Sequence, residues 1–296
     1  MSQDLQVQEH TMTPPPQAAS FSYATLRKSL PLGKIVGYLV VLFIAFLYLF
    51  PLLYLLNVSV KSPSDYLFQP SGLTKSIDLT NYTRAWVQGN FAQYLGNSLL
   101  YTLVSTAISV TLSLFAAFPV ARGYVKWGSF WYVFFLAAVF LPNPLIPQFQ
   151  LMLHLGLYNT QIGYILLNSG VGLGPFLIIG YLRSVPKELD EAACIDGCSY
   201  FRFIFTIIVP LIKPILVTVF LLGAINVWND IIGPTIYLAD DSLYPVSLGL
   251  FSFYGQYQNQ WTVLAAGIIL VAAPLVILYI FLQRYFMDGA LAGAFK

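Results

Sequence analysis

The sequence predicts an all-α integral membrane protein with six transmembrane helices and one short charged helix hung between two of them. Three observations predict it. Of 296 residues, 58% are hydrophobic and only 9% charged, against about 25% charged in a soluble domain. Mean hydropathy is +0.73. Apolar runs of span length recur six times along the chain. Between two of them lies a stretch carrying Lys187, Glu188, Asp190, Glu191, Asp196 and Arg202, which cannot lie in hydrocarbon.

Taken in order, residues 1–33 read as a disordered cytoplasmic tail, polar up to Ala19 and containing Pro14-Pro15-Pro16. Residues 34–296 read as one six-span domain. The first apolar run, Ile35–Leu56, has 22 uncharged residues. A signal-peptide core has about 7–15, so this run is a retained span. The others are Ser98–Val120, Phe130–Leu151, Ile162–Leu182, Ile207–Trp228 and Thr262–Leu282, each near the length needed to cross a bilayer. No acidic residue falls inside them, and the only basic one is Lys213, one turn inside the fifth, from where it can snorkel to the interface.

Basic residues set the orientation. With the N-terminus inside, the cytoplasmic segments hold Arg27, Lys28, Lys34, Arg122, Lys126, Arg183, Lys187, Arg202, Arg284 and Lys296. The outer segments hold Lys61, Lys75 and Arg84. Both termini are therefore expected in the cytoplasm, with the charged helix on the same side. The outer loops Asn57–Asn97 and Ile231–Trp261 are long. The second carries the aromatic run Phe251–Tyr257, which includes Tyr254, Gly255 and Tyr257. Such a loop suits contact with a protein partner or anchoring at the lipid interface. Asn57-Val-Ser59 and Asn81-Tyr-Thr83 match the glycosylation sequon, a short pattern that recurs by chance and is used only on a eukaryotic secretory route.

Catalytic patterns are missing: no phosphate-binding glycine-lysine loop, no His-Glu-x-x-His, no paired carboxylates in an apolar setting. His10 lies in the tail and His154 at an outer membrane edge. Cys194 and Cys198 have no nearby histidine, and structural zinc needs four ligands, so no metal site is read and the thiols are read as reduced fillers. A net charge of +2 suggests no nucleic-acid partner. Coupled secondary carriers place carboxylates or broken helices at midplane. Here the midplane groups are neutral: Asn168, Ser169 and Asn226, with Gly170, Gly172, Gly174 and Pro175. Asn168 and Asn226 are candidates to line a path for a neutral, hydroxyl-rich solute; helix packing through small residues is the other reading. Asp230 is placed at the outer boundary.

Any driving energy must then enter from outside the membrane, and the charged segment is where it can. Ser184 can cap a helix with Pro186 in its first turn. Glu188, Asp190 and Glu191 follow at the positive helix end. Ala192-Ala193 let a partner approach closely. Gly197 permits a left-handed end to the helix, and Ser199 restarts a second helix toward Pro210.

These residues resemble a known family. Glu191-Ala192-Ala193-x3-Gly197, followed by Ile208-Val209-Pro210, resembles the EAA loop of binding-protein-dependent ABC importer permeases. Trp228-Asn229-Asp230, Pro234, Tyr237-Leu238 and the tail Gln283-Arg284-Tyr285-Phe286 with Gly289 and Gly293 are similar to the carbohydrate branch, and within it to the second, MalG-type permease. The resemblance covers about Ile35 to Lys296. It implies six helices with a cytoplasmic coupling (EAA) helix, in a bacterial inner-membrane subunit of an ATP-driven importer for oligosaccharides. The partners implied are a second six-span permease, two cytoplasmic ATPase subunits that bind ATP and Mg, and an extracytoplasmic sugar-binding protein. The chain itself would be no enzyme and hold no cofactor. Carried over, Glu191, Ala192, Ala193, Asp196 and Gly197 couple to the ATPase. The loop with Tyr254, Gly255 and Tyr257 reaches the binding protein, and the tail from Arg284 touches the ATPase pair. In the maltose system that this branch resembles, the sugar is held mainly by the other permease, so no sugar ligands are carried over. The residues also admit an importer of another polar solute, a glycerol phosphate or polyol. They fit a self-contained secondary carrier less well.

Overall fold

The computed structural model describes residues 31–253 and 260–294, and the regular structure in them is helical. Helix α1 (Pro31–Ser59) passes from one compact unit, Met1–Leu52, into a second, Leu53–Lys296. The second unit continues with two short helices, α2 (Pro63–Phe68) and α3 (Thr80–Gln88), and then the long α4 (Phe91–Arg122). There follow α5 (Gly128–Val139), α6 (Leu145–His154), α7 (Gln161–Asn168), α8 (Gly174–Leu182), α9 (Glu188–Ile195) and α10 (Tyr200–Phe203). A π-helical turn over Ile204–Ile208 leads to α11 (Val209–Leu211), α12 (Lys213–Trp228), α13 (Ile232–Tyr237) and α14 (Val246–Gly249). The last element is α15 (Trp261–Ala294).

Among the described residues, three helices are long and apolar enough to cross a membrane unbroken: Gly33–Ser59, Phe91–Arg122 and Trp261–Arg284. The pair Tyr200–Leu211 and Lys213–Trp228 makes a fourth if taken as one span bent by 82°. The runs read as spans three and four are each divided. Pro142 and Pro144 end the first half of span three, because proline lacks the amide donor and disfavours helix in the residue before it; helix stops at Val139 and resumes at Leu145. Span four opens between Asn168 and Gly174, where Gly172 takes φ +48°. Pro210 and Pro214 flank the bend at Ile212, and Lys213 opens α12.

The open backbone of span four is held by α4. Ser105, Ser109 and Ser113, spaced four apart on one helical face, donate to the carbonyls of Ile165 (3.1 Å), Gly170 (2.7 Å) and Val171 (3.3 Å). This row of hydroxyls satisfies carbonyls that hydrocarbon could not. Close approach is obligatory here: a Cβ on Gly174 would stand 2.3 Å from Ser113 Oγ. Helix α4 also packs along α8 and α12, and α15 packs on α12 and α3. Trp228 Nε1 donates to Val271 O at 3.1 Å, tying α12 to α15.

The largest core cluster joins Leu114, Ala117 and Phe118 of α4 to Ile178, Ile179 and Leu182 of α8. It also takes in Ala193, Phe203, Ile204, Ile208 and Ile212 of the charged segment and the turns after it. Asn81 is fully buried, donates to Ser59 O (2.9 Å) and Lys61 O (2.7 Å), and accepts from Thr262. It is therefore closed to glycosylation in the folded chain, as a chance match to the sequon would be.

Gly174→Ala should destabilise the chain by about 1–3 kcal/mol through overpacking, read as a lower unfolding temperature in detergent. Gly180→Ala on the same helix is the control, since a Cβ there meets nothing within 4 Å. Equal melting of the two variants would contradict the serine-lined contact.

Candidate functional site

The charged segment folds as helix–turn–helix, with two departures from expectation. Ser184 does not cap: its hydroxyl turns back to donate to Tyr181 O (2.7 Å). The helix starts later, at Glu188, with Lys187 at the cap position and no side-chain cap bond. Glu188, Asp190 and Glu191 occupy its first turn. Its end matches the expectation for Gly197, which has φ +68°. The amide of Cys198 donates to Ala193 O (2.9 Å) and that of Gly197 to Cys194 O (3.1 Å), the two bonds of a Schellman motif. Ser199 then sits extended ahead of α10.

The two adjacent alanines separate. Ala193 is 6% exposed and packed in the core, whereas Ala192 faces out with Glu191, Ile195, Asp196 and Gly197. Only one of the pair is thus available for close approach by a partner. Ile195 is 86% exposed, an apolar side chain on an otherwise charged outer face. Cys194 is exposed, Cys198 half-buried, and both are free thiols.

What holds α9 in place is absent from the sequence reading. Arg122, the last residue of α4, lies with its side chain 1% exposed and pairs with Asp190, Nη2 to Oδ1, at 2.8 Å. Its Nη1 donates to Val185 O (2.8 Å) in the linker between α8 and α9, and more weakly to Leu182 O (3.5 Å) at the end of α8. Tyr124 donates its hydroxyl to Asp190 Oδ2 (2.9 Å). Burial, then the bond to Asp190, push the Tyr124 phenol above its ordinary value of 10.0. Its contribution is therefore present at every pH below that value and fades only as pH climbs through the raised one. Arg183 stacks on the Tyr132 ring, 4.6 Å from its centroid. Sequence separation hid the Arg122–Asp190 pair. The basic count places Arg122 among the charges of the cytoplasmic segments, and no local motif links it to a residue on another helix.

Among the described residues, the divided spans line two cavities. The larger, about 560 Å³, is lined by Thr106 and Ser109 of α4, the open turn from Gly170 to Leu173, and both Asn168 and Asn226. The smaller, about 280 Å³, is lined by Asn143, Gln148, Tyr164, Asn168, Asp230 and Tyr237 among others. Asn168 and Leu167 line both. Asp230 is half-buried and takes part in a network: Tyr164 donates to Oδ2 (2.8 Å) and the Gly233 amide to Oδ1 (2.9 Å). Tyr254, Gly255 and Tyr257 lie outside the described residues.

With this geometry in view, comparisons with known proteins agree among themselves. Residues 22–289 match the model of the family described as binding-protein-dependent transport system inner membrane component. The chain is 32% identical to the arabinooligosaccharides transport system permease protein AraQ of Halalkalibacterium halodurans, over 86% of this chain and 93% of that one. It is 31% identical to the melibiose/raffinose/stachyose import permease protein MelC of Bacillus subtilis, over 83% and 91%. The fold is similar to that of a chain in a crystal structure of a bacterial ABC transporter for import of the acidic polysaccharide alginate. The TM-score is 0.77 at 23% identity, covering 86% of this chain and 96% of that one.

Removing Arg122 should free α9. A thiol placed by Ala193→Cys, in a Cys194→Ala, Cys198→Ser background, is shielded by the core. Arg122→Ala, which leaves the Asp190 carboxylate with Tyr124 as its one partner and removes the side-chain donor to Val185 O, should cost about 3 kcal/mol and expose that thiol to alkylation. Asp190→Asn, whose amide oxygen can still accept from Arg122 while its NH2 donates to the Tyr124 oxygen, should do so less. Unchanged labelling in Arg122→Ala would show that the core alone positions the helix.

Proposed function

The chain belongs to the family of binding-protein-dependent transport system inner membrane components, and from that premise we propose that it imports oligosaccharides as one of two paired permeases. It is a multi-pass inner-membrane permease subunit, not itself catalytic, and ATP hydrolysis belongs to separate ATPase subunits. An ATPase and a binding protein are partners of such a system. A second six-span permease facing this one completes the proposed pathway.

In this reading residues 34–296 form six spans: α1, α4, the divided pairs α5–α6 and α7–α8, the bent segment from α10 to α12, and α15. Residues 1–33 and the C-terminus lie in the cytoplasm, as does α9. The observation that carries the reading is the outer face of α9. Glu191, Ala192, Ile195, Asp196 and the left-handed Gly197 are presented together on a helix fixed from behind by a buried ion pair. A rigid, low-profile surface is what a coupling helix needs. Push on it, and the load passes through Asp190 and Arg122 to the end of α4. The sugar class is supported by relatives named for oligosaccharide transport. It is supported too by the neutral amides, Asn168 and Asn226, at the larger cavity. Tyr254, Gly255 and Tyr257 are proposed to meet the binding protein.

Two experiments test this. A Cβ at Gly197 meets nothing in the chain itself, but at φ +68° it is strained by about 1–2 kcal/mol, and Asp adds charge at the docking face. Gly197→Asp and Ala192→Glu should assemble with the other subunits yet lose about tenfold or more of the solute-stimulated ATP hydrolysis. Cys194→Ala should transport normally. Coupled uptake that survives Gly197→Asp contradicts the docking role. For orientation, an impermeant thiol reagent on intact cells should label Ser242→Cys and spare Ser199→Cys, in the cysteine-free background; the reverse pattern inverts the topology.

A further inference from the structure

The smaller cavity is built for more than packing. Each Asp230 oxygen already accepts one hydrogen bond, from Tyr164 or the Gly233 amide, and a carboxylate has room for about four. Two acceptor positions are therefore left at the cavity. Tyr237, 4% exposed, has one hydroxyl proton and directs it to Gln148 Oε1 (3.1 Å) or Leu145 O (3.3 Å). Gln148 keeps both of its amide hydrogens. Asn168 donates to Tyr164 O (3.0 Å) and keeps its carbonyl oxygen. Donors and acceptors thus alternate around one carboxylate, and no Lys, Arg or His lines either cavity.

That chemistry discriminates between solutes. Sugar hydroxyls donate to a carboxylate in short, strong bonds and accept from amides. A phosphate or uronate would meet like charge with no cation to offset it. We propose that Asp230, with Tyr164, Tyr237, Gln148 and Asn168, forms a hydroxyl-binding station for a neutral polyhydroxyl solute within this subunit, passing it through Asn168 to the larger cavity. This rests on the permease reading above and adds to it that this subunit touches the solute and excludes anionic ones.

Asp230→Asn is the decisive variant. Its amide oxygen still accepts from Gly233, and its NH2 can donate to the Tyr164 oxygen, so the local bonds persist while the charge is removed. The measurement uses the complete transporter with its binding protein in proteoliposomes. The solutes are raffinose, maltotriose, arabinotriose and the anionic trigalacturonate. Wild type should import at least one neutral trisaccharide and not trigalacturonate. Asp230→Asn should lower the maximal uptake rate about tenfold at unchanged KM, because the binding protein sets KM. ATP hydrolysis stimulated by the binding protein should stay within about twofold. Asn168→Leu, which removes the shared amide, should do the same. Uptake by Asp230→Asn at the wild-type rate overturns the station, as does preferred import of trigalacturonate. A parallel loss of uptake and ATP hydrolysis also overturns it, since the carboxylate then serves only the fold. Import of no saccharide by wild type would instead overturn the oligosaccharide reading beneath it.

Discussion

One buried ion pair sets the cytoplasmic architecture proposed here. Arg122 ends α4 with its guanidinium out of water, and Asp190 meets it from α9 at 2.8 Å. A charge so placed is costly unless its partner and hydrogen bonds are present. The pair therefore acts as a constraint: α9 can sit in only one register against α4. The same guanidinium binds Val185 O in the linker from α8, so the end of one long helix fixes two others. Ala193 then fills the core, and its neighbours Ala192 and Ile195 are turned outward. The Schellman turn at Gly197 returns the chain to the core through Phe203 and Ile204.

The second constraint is the satisfaction of backbone that leaves the helix inside an apolar body. Opening span four frees carbonyls, and the serine row of α4 takes them up. Where the chain opens, it also makes room. The larger cavity is lined by the opened turn itself, and the smaller by Asn143 in the break of span three. Packing and pathway therefore have one cause. Proline and glycine interrupt the helices, polar side chains satisfy the interruption, and the space left over sets a few polar groups in mainly apolar walls, with Asp230 the one charged side chain lining it.

Much of this was legible in the sequence. The apolar runs located α1, α4 and α15, and the left-handed Gly197 followed from its place after an acidic, alanine-containing helix. Asn168 and Asn226 were singled out as the neutral groups at midplane, and both line the larger cavity. Other features were not legible. Runs 130–151 and 162–182 pass a hydropathy test whether or not they are broken, so the breaks had to be read from Pro142, Pro144 and Gly172, which composition averages away. Ser184 has the right chemistry for a cap, but it bonds backward to Tyr181 O. That Ala193 is inside and Ala192 outside depends on the packing of α9, which neighbouring identical residues cannot disclose. The Arg122–Asp190 pair joins residues far apart in sequence, and charge counting assigned them to separate roles.

The central claim is that the outer face of α9 is the surface on which the ATPase acts. The most direct measurement places a photoactivatable group at Ile195, which is 86% exposed and makes no part of the core. Irradiation of the assembled transporter, followed by identification of the captured chain, should return the ATPase subunit. Capture of the extracytoplasmic binding protein, or of lipid alone, would contradict the claim.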